Sequence, residues 1–427
     1  MSKKWINPLL IILALALLLR LAGIQHSFPV IRHPDEPAVV RAALAMRFNL
    51  NPGHFDWPHL YIYMNFFIYK VFALFRDYAA AWGYRTLIIQ WIPLFWNDNL
   101  IFYLISRILS ATIGALTILP VYLSAKNLFN KKIALFSALA MALMPFHVRH
   151  SHYALIDVPM TFFLSWALYC STNIFKRFRT EDYILAGLFV GFAASTKYNG
   201  GLSAILVPLA HFLRIYKEKG SYITFEGINS LFLAAAASFF GFILGTPYAL
   251  LDYKTFSRTD GPTGAFWQFT NVGKVEFHKQ IVRFFTSMWE KIASDVGYTF
   301  LVGYWIVFLA TIKDLIIRKR SPDLIRRLFL AIPSVLFFFY ISGFYKNRSH
   351  YYMITYPFVA IIAGYFIVMA GEYLKPKLSS LGRFLILLLT LIFFIIPLYF
   401  AIMNIIDLTE VVPLRPDSKI VGGDPDL

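Results

Sequence analysis

The sequence predicts an all-α, polytopic transmembrane helical bundle, and three observations support that prediction. Of the 427 residues, 58% are hydrophobic and only 15% are charged. The mean hydropathy is +0.60, which excludes an ordinary soluble domain and a disordered chain. Many apolar runs reach the ~20 residues that cross ~30 Å of hydrocarbon, and helices can span it because they satisfy their own backbone groups.

The spans are placed where apolar runs lie between charged connections. The first, 6–24, follows Lys3 and Lys4 and contains Arg20. Because no small-x-small cleavage site follows and further spans come after, we predict an uncleaved helix rather than a signal peptide. About eleven spans are predicted, and the others are 100–123, 132–147, 158–175, 182–196, 198–216, 230–250, 297–317, 325–344, 351–374 and 382–405.

Basic connections between the spans predict the orientation of the protein. Lys and Arg cluster between alternate spans, as at 176–179 and 313–327, and such clusters stay in the cytoplasm. We therefore expect a multi-pass protein of a prokaryotic plasma membrane with a cytoplasmic N-terminus. The transmembrane domain is predicted at 1–406 and a short extracytoplasmic tail at 407–427. The outer segments are a first loop, 25–99, a second loop, 148–157, and a large loop, 251–296.

The first loop must begin and end on the outer side, because the span before it runs outward and the next one runs inward. Its apolar piece, His59 to Phe75, therefore cannot be a single crossing. It either lies in the membrane interface or forms a hairpin with Thr86 to Trp96. We prefer interfacial helices, because amphipathic aromatic rings are favoured there. The aromatic residues that suit this position are Trp57, Tyr61, Tyr63, Tyr69, Trp82, Tyr84, Trp91 and Trp96.

The net charge of +17 raises the question of a nucleic-acid partner. The basic residues are scattered between apolar spans, so we interpret them as orientation signals and as contacts for membrane lipid or phosphate. We predict no nucleic-acid partner. The single cysteine, Cys170, excludes an intramolecular disulfide and a cysteine-based zinc or iron–sulfur site.

Two adjacent carboxylates, Asp35 and Glu36, closely follow the first span and are bracketed by prolines. The functional interpretation makes both catalytic, with Asp35 as the general base that takes a proton from an acceptor hydroxyl. His33 is then a candidate substrate contact. The structural alternative is a helix start, with Asp35 as the N-cap and Glu36 in the first turn. The two interpretations are compatible, since a cap can fix a catalytic loop.

A second candidate motif is the segment His147 to Asp157, which holds three histidines and an arginine. Asp157 is predicted as a second catalytic acid facing Asp35, with Arg149 on a phosphate. His150 and His152 are candidate substrate contacts, and a helix cap is the structural alternative for Asp157. Histidine and carboxylate can bind zinc or manganese, so a divalent metal stays open. The spacing matches no closed zinc pattern, and the sequence requires no cofactor.

Cations near the same end of the bundle complete the predicted site. Lys197 is predicted to bind a phosphate, because such a cation stabilises a phosphate leaving group, and Arg107 is a candidate because a charge inside an apolar span is costly. Snorkelling to the membrane interface is the alternative for both side chains. Tyr198 is a further candidate substrate contact. So are Lys346, Arg348 and Tyr351, for which interfacial anchoring is an equal alternative.

Acids and cations at one predicted membrane face suit an enzyme that joins a soluble acceptor to an anionic lipid donor. No P-loop pattern is present, which argues against a nucleotide donor. The main alternative is a transporter or flippase of lipid-linked saccharides. It predicts charges along a path across the bilayer, and often an internal repeat. A non-enzymatic partner of surface-polysaccharide assembly is a further alternative.

Several motifs then occur in a characteristic order. The Asp-Glu pair is followed by Asn51 to Tyr61, Ser106 to Ser110, Met144-Pro145 and Thr196 to Tyr198. This order resembles the protein O-mannosyltransferase-like group of integral-membrane glycosyltransferases, the dolichyl-phosphate-mannose mannosyltransferase family. The group has the GT-C fold and includes the lipid A aminoarabinose transferases. The resemblance covers roughly residues 6–405.

The resemblance implies an inverting glycosyltransferase that moves a sugar from a polyprenyl phosphate to a hydroxyl of a protein, lipid or glycan on the extracytoplasmic side. Asp35 matches the family's catalytic aspartate and Asp157 the acid of the second loop. Lys197 and Arg107 match the cationic positions, for which the resemblance implies contact with the donor phosphate. In one departure, Trp57 to Leu60 stands where some relatives carry a lysine before a Pro-Pro-Leu motif. In another, many relatives continue past the last span into an outer domain.

Overall fold

The computed structural model describes residues 7–46, 49–81, 100–219, 227–271, 273–317, 322–374 and 380–410. Within these ranges the chain forms α-helices and no β-strand, which confirms the predicted all-α class. An isolated antiparallel bridge joins Lys274 to Phe344. Lys3, Lys4, the 82–99 part of the first loop and residues 411–427 of the tail lie outside the described residues.

The described helices are numbered in chain order. Those up to residue 219 are α1 Pro8–Leu21, α2 Glu36–Ala45, α3 Leu60–Ala81, α4 Leu100–Leu116, α5 Ile118–Leu128, α6 Lys131–Leu143, α7 Pro145–His150, α8 Asp157–Arg177, α9 Thr180–Thr196 and α10 Leu206–Lys219. The later ones are α11 Ile228–Gly245, α12 Tyr248–Leu251, α13 Tyr253–Phe256, α14 Ala265–Asn271, α15 Phe277–Ser287, α16 Ala293–Val296, α17 Tyr298–Ile316, α18 Pro322–Ser342, α19 Tyr356–Leu374 and α20 Ser380–Thr409. Tyr198–Ile205 and Ser349–Thr355 are 3₁₀ helices, and Met288–Ile292 is a π-helix.

Each of the eleven predicted spans falls on helix in the structure. In the described part of the chain, six helical segments are long and apolar enough to cross a membrane. The number of crossings therefore stays a prediction, although the positions of the helices agree. The six segments are Leu100–Leu128, Ile228–Gly245, Tyr298–Ile316, Asp323–Ser342, Ser349–Leu374 and Gly382–Thr409.

Arg20 shows how the first helix is fixed to the bundle. The side chain is fully buried and donates to the carbonyls of Met141 (3.4 Å) and Ala142 (3.2 Å), at the end of α6. It also bonds Nδ1 of His147 at 2.9 Å. The guanidinium therefore does not snorkel. It satisfies carbonyls that the end of a helix leaves without intrahelical partners, and it holds α1 beside the start of α7.

Helices α9 and α11 are in direct backbone contact. A Cβ atom on Gly187 would lie 2.1 Å from the carbonyl oxygen of Ala234, and one on Gly191 would lie 2.2 Å from that of Ser238. Small residues spaced four apart allow this approach, as is common where helices pack in membranes. The contact fixes the far end of α9, where Lys197 follows.

The first loop forms two described helices, α2 and α3. The N-terminal part of α3 is buried at Tyr61 and Ile62, whereas Phe75 and Tyr78 towards its C-terminus are exposed. The helix is not among the six long apolar segments of the described chain. Its interfacial position stays a prediction. The alternative hairpin partner, Thr86 to Trp96, lies outside the described residues.

Candidate active site

Glu36 is the first residue of α2, and it is clamped in the protein interior. Arg107 on α4 donates from Nε to Oε1 (2.8 Å) and from Nη2 to Oε2 (2.7 Å), and both side chains are fully buried. The backbone N–H of Ala154 also donates to Glu36, at 2.9 Å. Arg107 further donates to the carbonyl of His26 at 2.9 Å. In this structure, Arg107 therefore has no accessible atom for the predicted phosphate contact, and Glu36 has none for the predicted catalytic role.

Asp35, one residue earlier, has the opposite environment. It is half-buried, and among the described residues its carboxylate has no hydrogen bond or ion pair. It precedes α2 but makes no side-chain cap, so the helix start is present without the predicted capping bond. Its backbone N–H donates to Nδ1 of His33 at 3.2 Å. The carboxylate is therefore available for a ligand.

Asp157 and Lys197 are brought together from α8 and the end of α9. The Lys197 ammonium lies 2.5 Å from Oδ1 of Asp157, which is 4% exposed. The ammonium also lies 4.8 Å from the centre of the Tyr351 ring. Asp157 is the first residue of α8 and its side chain makes no cap. Its carboxylate is committed to the lysine, which is a different arrangement from the predicted helix cap.

The three histidines of the second loop have different environments. His147 bonds Arg20, and both ring nitrogens of His152 face backbone carbonyls, those of Val148 and Ala22, each at 2.9 Å. Nε2 of His150 lies 3.8 Å from Oδ2 of Asp157. Burial lowers the pKa of His150 to about 3, so its ring is neutral at pH 7. His152 therefore has no ring nitrogen left for a substrate in this structure, whereas His150 does.

A cavity of about 400 Å³ lies next to His150. Three elements form it: α7 with the residues after it, the segment from the π-helix to α16, and the connection after α18. His33 lines it from the first loop, and its ring centre lies 6.3 Å from that of His150. The cavity is mostly polar. The charged or titratable residues that line it are His33, Arg149, His150, Tyr153, Glu290, Lys291, Asp295, Arg348 and His350.

A second cavity, of about 410 Å³, lies beside α2. Pro37, Arg41, Asn51 and His54 are among the residues that line it. Asp35 therefore lies in the chain between His33, which lines the first cavity, and Pro37, which lines the second. Asp35 itself is not among the residues that line either cavity, but its chain neighbours on the two sides line one cavity each.

The remaining predicted contacts divide into two groups. Arg348 lines the first cavity, and Tyr351 covers the Lys197 ammonium. Lys346 is exposed and is not among the residues that line either cavity, and Tyr198 donates to the carbonyl of Phe55 at 2.8 Å. Tyr198 thereby joins the 3₁₀ segment after α9 to the first loop. Among the described residues, no group of three or more histidine, cysteine or acidic side chains is arranged to hold a metal ion.

Asp295 is a candidate that the sequence analysis missed. It lines the first cavity, and burial raises the pKa of its carboxyl to about 7. It stands alone in the sequence, between Ser294 and Val296, without the neighbouring acids or histidines that identified the other motifs. One signal was available: like Asp35 and Asp157, it lies at the junction of a predicted outer loop and a helix.

Comparison with known proteins gives both sequence and structural matches. Residues 102–256 match the model of the dolichyl-phosphate-mannose-protein mannosyltransferase family. Dolichyl-phosphate-mannose–protein mannosyltransferase 1 of Saccharomyces cerevisiae is 29% identical over 158 residues, which are 35% of this chain and 18% of the yeast protein.

Two solved structures are similar over nearly the whole chain. The oligosaccharyltransferase of Archaeoglobus fulgidus, tethered with an acceptor peptide, has a TM-score of 0.64 at 15% identity and is matched over 95% of this chain and 55% of its own. ArnT from Cupriavidus metallidurans, bound to undecaprenyl phosphate, has a TM-score of 0.54 at 12% identity, over 96% of this chain and 76% of its own.

These matches confirm the resemblance that the motif order indicated, and they confirm the polytopic membrane fold. The protein is an integral membrane protein with the helical architecture of these glycosyltransferases. The chain spans less than a fifth of the yeast protein it matches and about half of the archaeal enzyme.

Proposed function

We propose that this protein is a glycosyltransferase that moves a sugar from a polyprenyl phosphate to an acceptor hydroxyl, with inversion, on the extracytoplasmic side. The observation that carries the proposal is the contrast between two neighbours. Glu36 is buried and clamped by Arg107, whereas the Asp35 carboxylate is half-buried without a partner in the described chain. A base needs such an available carboxylate within reach of the hydroxyl it activates.

In the proposed reaction, the hydroxyl oxygen of the acceptor attacks the anomeric carbon of the sugar. Asp35 accepts the proton that this hydroxyl loses. The bond from that carbon to the phosphate oxygen breaks, and the polyprenyl phosphate leaves with the electron pair. A single displacement of this kind inverts the anomeric centre. Its support is that His33 and Pro37, two residues before and two after Asp35 in the chain, each line one of the two cavities.

The departing phosphate needs positive charge fixed in place before the reaction. Arg149 and Arg348 both line the cavity of about 400 Å³ and are the cations that we assign to this role. Lys197 is already bound to Asp157. We therefore assign the Lys197–Asp157 pair to positioning His150 and the cavity wall, with Lys197 as a secondary phosphate contact.

The Arg107–Glu36 pair has a different proposed role. It joins α4 to the start of α2 and to the second loop at Ala154. It thereby fixes the backbone that presents Asp35. Glu36 and Arg107 are then positioning residues, rather than the catalytic acid and the phosphate ligand that the sequence suggested.

The relatives support a polyprenyl-phosphate-linked sugar as the donor. The name of the yeast relative contains dolichyl-phosphate-mannose as the donor and protein as the acceptor. ArnT in the matched structure is bound to undecaprenyl phosphate. The basic connections between the spans support the extracytoplasmic placement of the site. The sugar and the acceptor are to be identified by experiment.

The decisive experiment uses the full chain reconstituted in liposomes with radiolabelled polyprenyl-phosphate-mannose and a serine- and threonine-rich peptide. We expect label on the peptide, and a loss of about 10²- to 10⁴-fold in Asp35→Asn, as for the removal of a general base. Asp260→Asn is the matched control, because Asp260 is an exposed acid paired with Arg258 in the large loop.

The outcomes separate the proposal from its rivals. If the labelled lipid crosses the bilayer and keeps its sugar, the protein is a flippase. Full transfer by a folded Asp35→Asn variant would remove Asp35 as the base. No transfer with any of a panel of polyprenyl-phosphate sugars, together with no lipid movement, would favour a non-enzymatic partner.

A further inference from the structure

The segment that leads to Asp295 is an irregular helix. α15 continues through the π-helix Met288–Ile292 into α16, and Gly297, with a φ of +98°, ends it before α17 begins. Wide turns of this kind inside α-helices occur frequently at functional sites, because they change the direction of the side chains that follow. Here the residues that line the cavity from this segment are Glu290, Lys291, Ser294 and Asp295.

The Asp295 carboxyl is not fully hydrogen-bonded. Ser349 is near enough to lower its pKa. The atom Oδ2 is buried, and among the described residues it has no hydrogen-bond partner. Buried polar atoms are usually hydrogen-bonded, so each exception needs an explanation. An oxygen beside a cavity can obtain its partner from a bound ligand.

The nearby cations do not provide that partner. Lys291 and Arg149 are close enough to influence Asp295 electrostatically, yet neither is within 4.0 Å of it as an ion pair in the described chain. The Lys291 ammonium donates instead to the carbonyl of Asn347. Asp295 is therefore not one half of a structural salt bridge, which is the usual explanation for a buried acid.

We propose that the cavity of about 400 Å³ holds the sugar phosphate of the donor, with Asp295 accepting a hydrogen bond from a hydroxyl of the transferred sugar. This inference rests on the proposed function. Arg149 and Arg348 offer donors to the phosphate, and Asp295 offers an acceptor to a neutral polyol. A phosphate alone would be repelled by an acid, so the combination of arginines and a carboxyl selects a ligand that carries both groups.

The carboxyl is suited to this task over a range of pH. Burial is the main cause that raises its pKa to about 7. In the protonated form it can also donate to a sugar oxygen. The assignment itself depends on the cavity, the free oxygen and the π-helix, and it needs no particular protonation state.

The test compares two lipids that differ only in the sugar. The full chain in nanodiscs is titrated with polyprenyl-phosphate-mannose and with sugar-free polyprenyl phosphate, and the ratio of the two dissociation constants is measured. We expect wild type to prefer the sugar-bearing lipid. Asp295→Ala should reduce that preference about tenfold, the effect of one lost hydrogen bond to a carboxyl group, while the affinity for sugar-free lipid is retained.

Asp295→Asn provides the second variant, because it keeps the size of the side chain and removes only the charge. It should show a smaller loss of preference than Asp295→Ala. Glu276→Gln is the matched control: Glu276 is an exposed acid directly before α15, away from the cavity lining. Its ratio should equal that of wild type.

The failures are distinguishable. If wild type binds neither lipid, even with other sugars attached, the proposed function falls and this inference with it. If wild type prefers the sugar-bearing lipid and both Asp295 variants keep the full preference, only the assignment of Asp295 is overturned.

Discussion

Arg107 binds Glu36 through two parallel hydrogen bonds, of 2.8 and 2.7 Å, with both side chains fully buried. The pair connects helices that are far apart in sequence. Bidentate arginine–carboxylate contacts of this kind fix geometry as well as charge. The pair therefore holds the backbone beside Asp35 in one position.

The first prediction concerns this clamp. Glu36→Gln should destabilise the protein by about 3–5 kcal/mol, because it leaves the Arg107 charge buried without its partner. The double variant Glu36→Leu/Arg107→Met should recover most of that loss. Thermal unfolding in detergent micelles measures both effects. A Glu36→Gln variant that melts like wild type and yet loses transfer would instead support the catalytic role that the sequence suggested for Glu36.

The second prediction concerns Lys197 and Asp157. Lys197→Met should lower stability by about 1–3 kcal/mol, because the Asp157 carboxylate then lacks its main partner. Adding Asp157→Asn should restore stability but not transfer, since the neighbouring cavity wall loses its charge pair. Unfolding and transfer are measured on the same samples. Recovery of both properties in the double variant would contradict a positioning role.

The third prediction compares the cations of Arg149 and Lys346. Arg149→Gln should weaken the binding of sugar-free polyprenyl phosphate by about 10- to 100-fold, as for a lost hydrogen bond between charged groups. Lys346→Gln is the control, because Lys346 is exposed and is not among the residues that line the cavity. Titration in nanodiscs gives both values. Equal losses in the two variants would indicate general attraction of an anionic lipid rather than a site.

The fourth prediction concerns pH. Burial raises the pKa of Asp295 from 3.8 to about 7, so the folded protein retains a proton that the unfolded chain releases. The contribution of Asp295 to stability should therefore fall as the pH rises from about 4 to about 7, and remain lower above that range. Asp295→Asn removes this penalty and should melt higher than wild type at about pH 8, with little difference at about pH 4.

The groups that face Asp295 also contribute to this profile. A pH-independent difference between wild type and Asp295→Asn would show that Asp295 does not cause the pH dependence. The charged and titratable groups that line the cavity with it are His33, Arg149, His150, Tyr153, Glu290, Lys291, Arg348 and His350.

The fifth prediction tests the close packing of α9 and α11. Gly191→Ala should destabilise by about 1–3 kcal/mol, because the new Cβ would lie 2.2 Å from a backbone carbonyl and the helices must separate. Gly201→Ala is the matched control, since the nearest atom to its new Cβ lies 3.5 Å away. Thermal unfolding compares the two. Equal stability would mean that the helices adjust without cost.

Much of the fold was predictable because it depends on composition and segment length. The apolar runs identify the helices, and each predicted span is helical. The motif order identified the family resemblance, which the mannosyltransferase family match at 102–256 confirms. The segments around Asp35, His150, Lys197 and Arg348 were also predictable, because charged residues between apolar spans are few, whereas the segment around Asp295 was not.

Pairing within the site was not predictable from the sequence. Asp35 and Glu36 are adjacent and have the same chemistry, and only the position of Arg107, 71 residues away in the sequence, decides which of them is clamped. The free oxygen of Asp295 likewise depends on the π-helix before it and on Ser349.

The sequence by itself determined that this is a helical membrane protein with acids and cations at the junctions of particular helices. Those properties follow from hydrophobic length and local composition. The tertiary structure alone decided which charges neutralise one another and which line a cavity. Burial and partner contacts depend on helices that meet across the bundle, and these contacts distinguish a structural carboxylate from one that is available for a substrate.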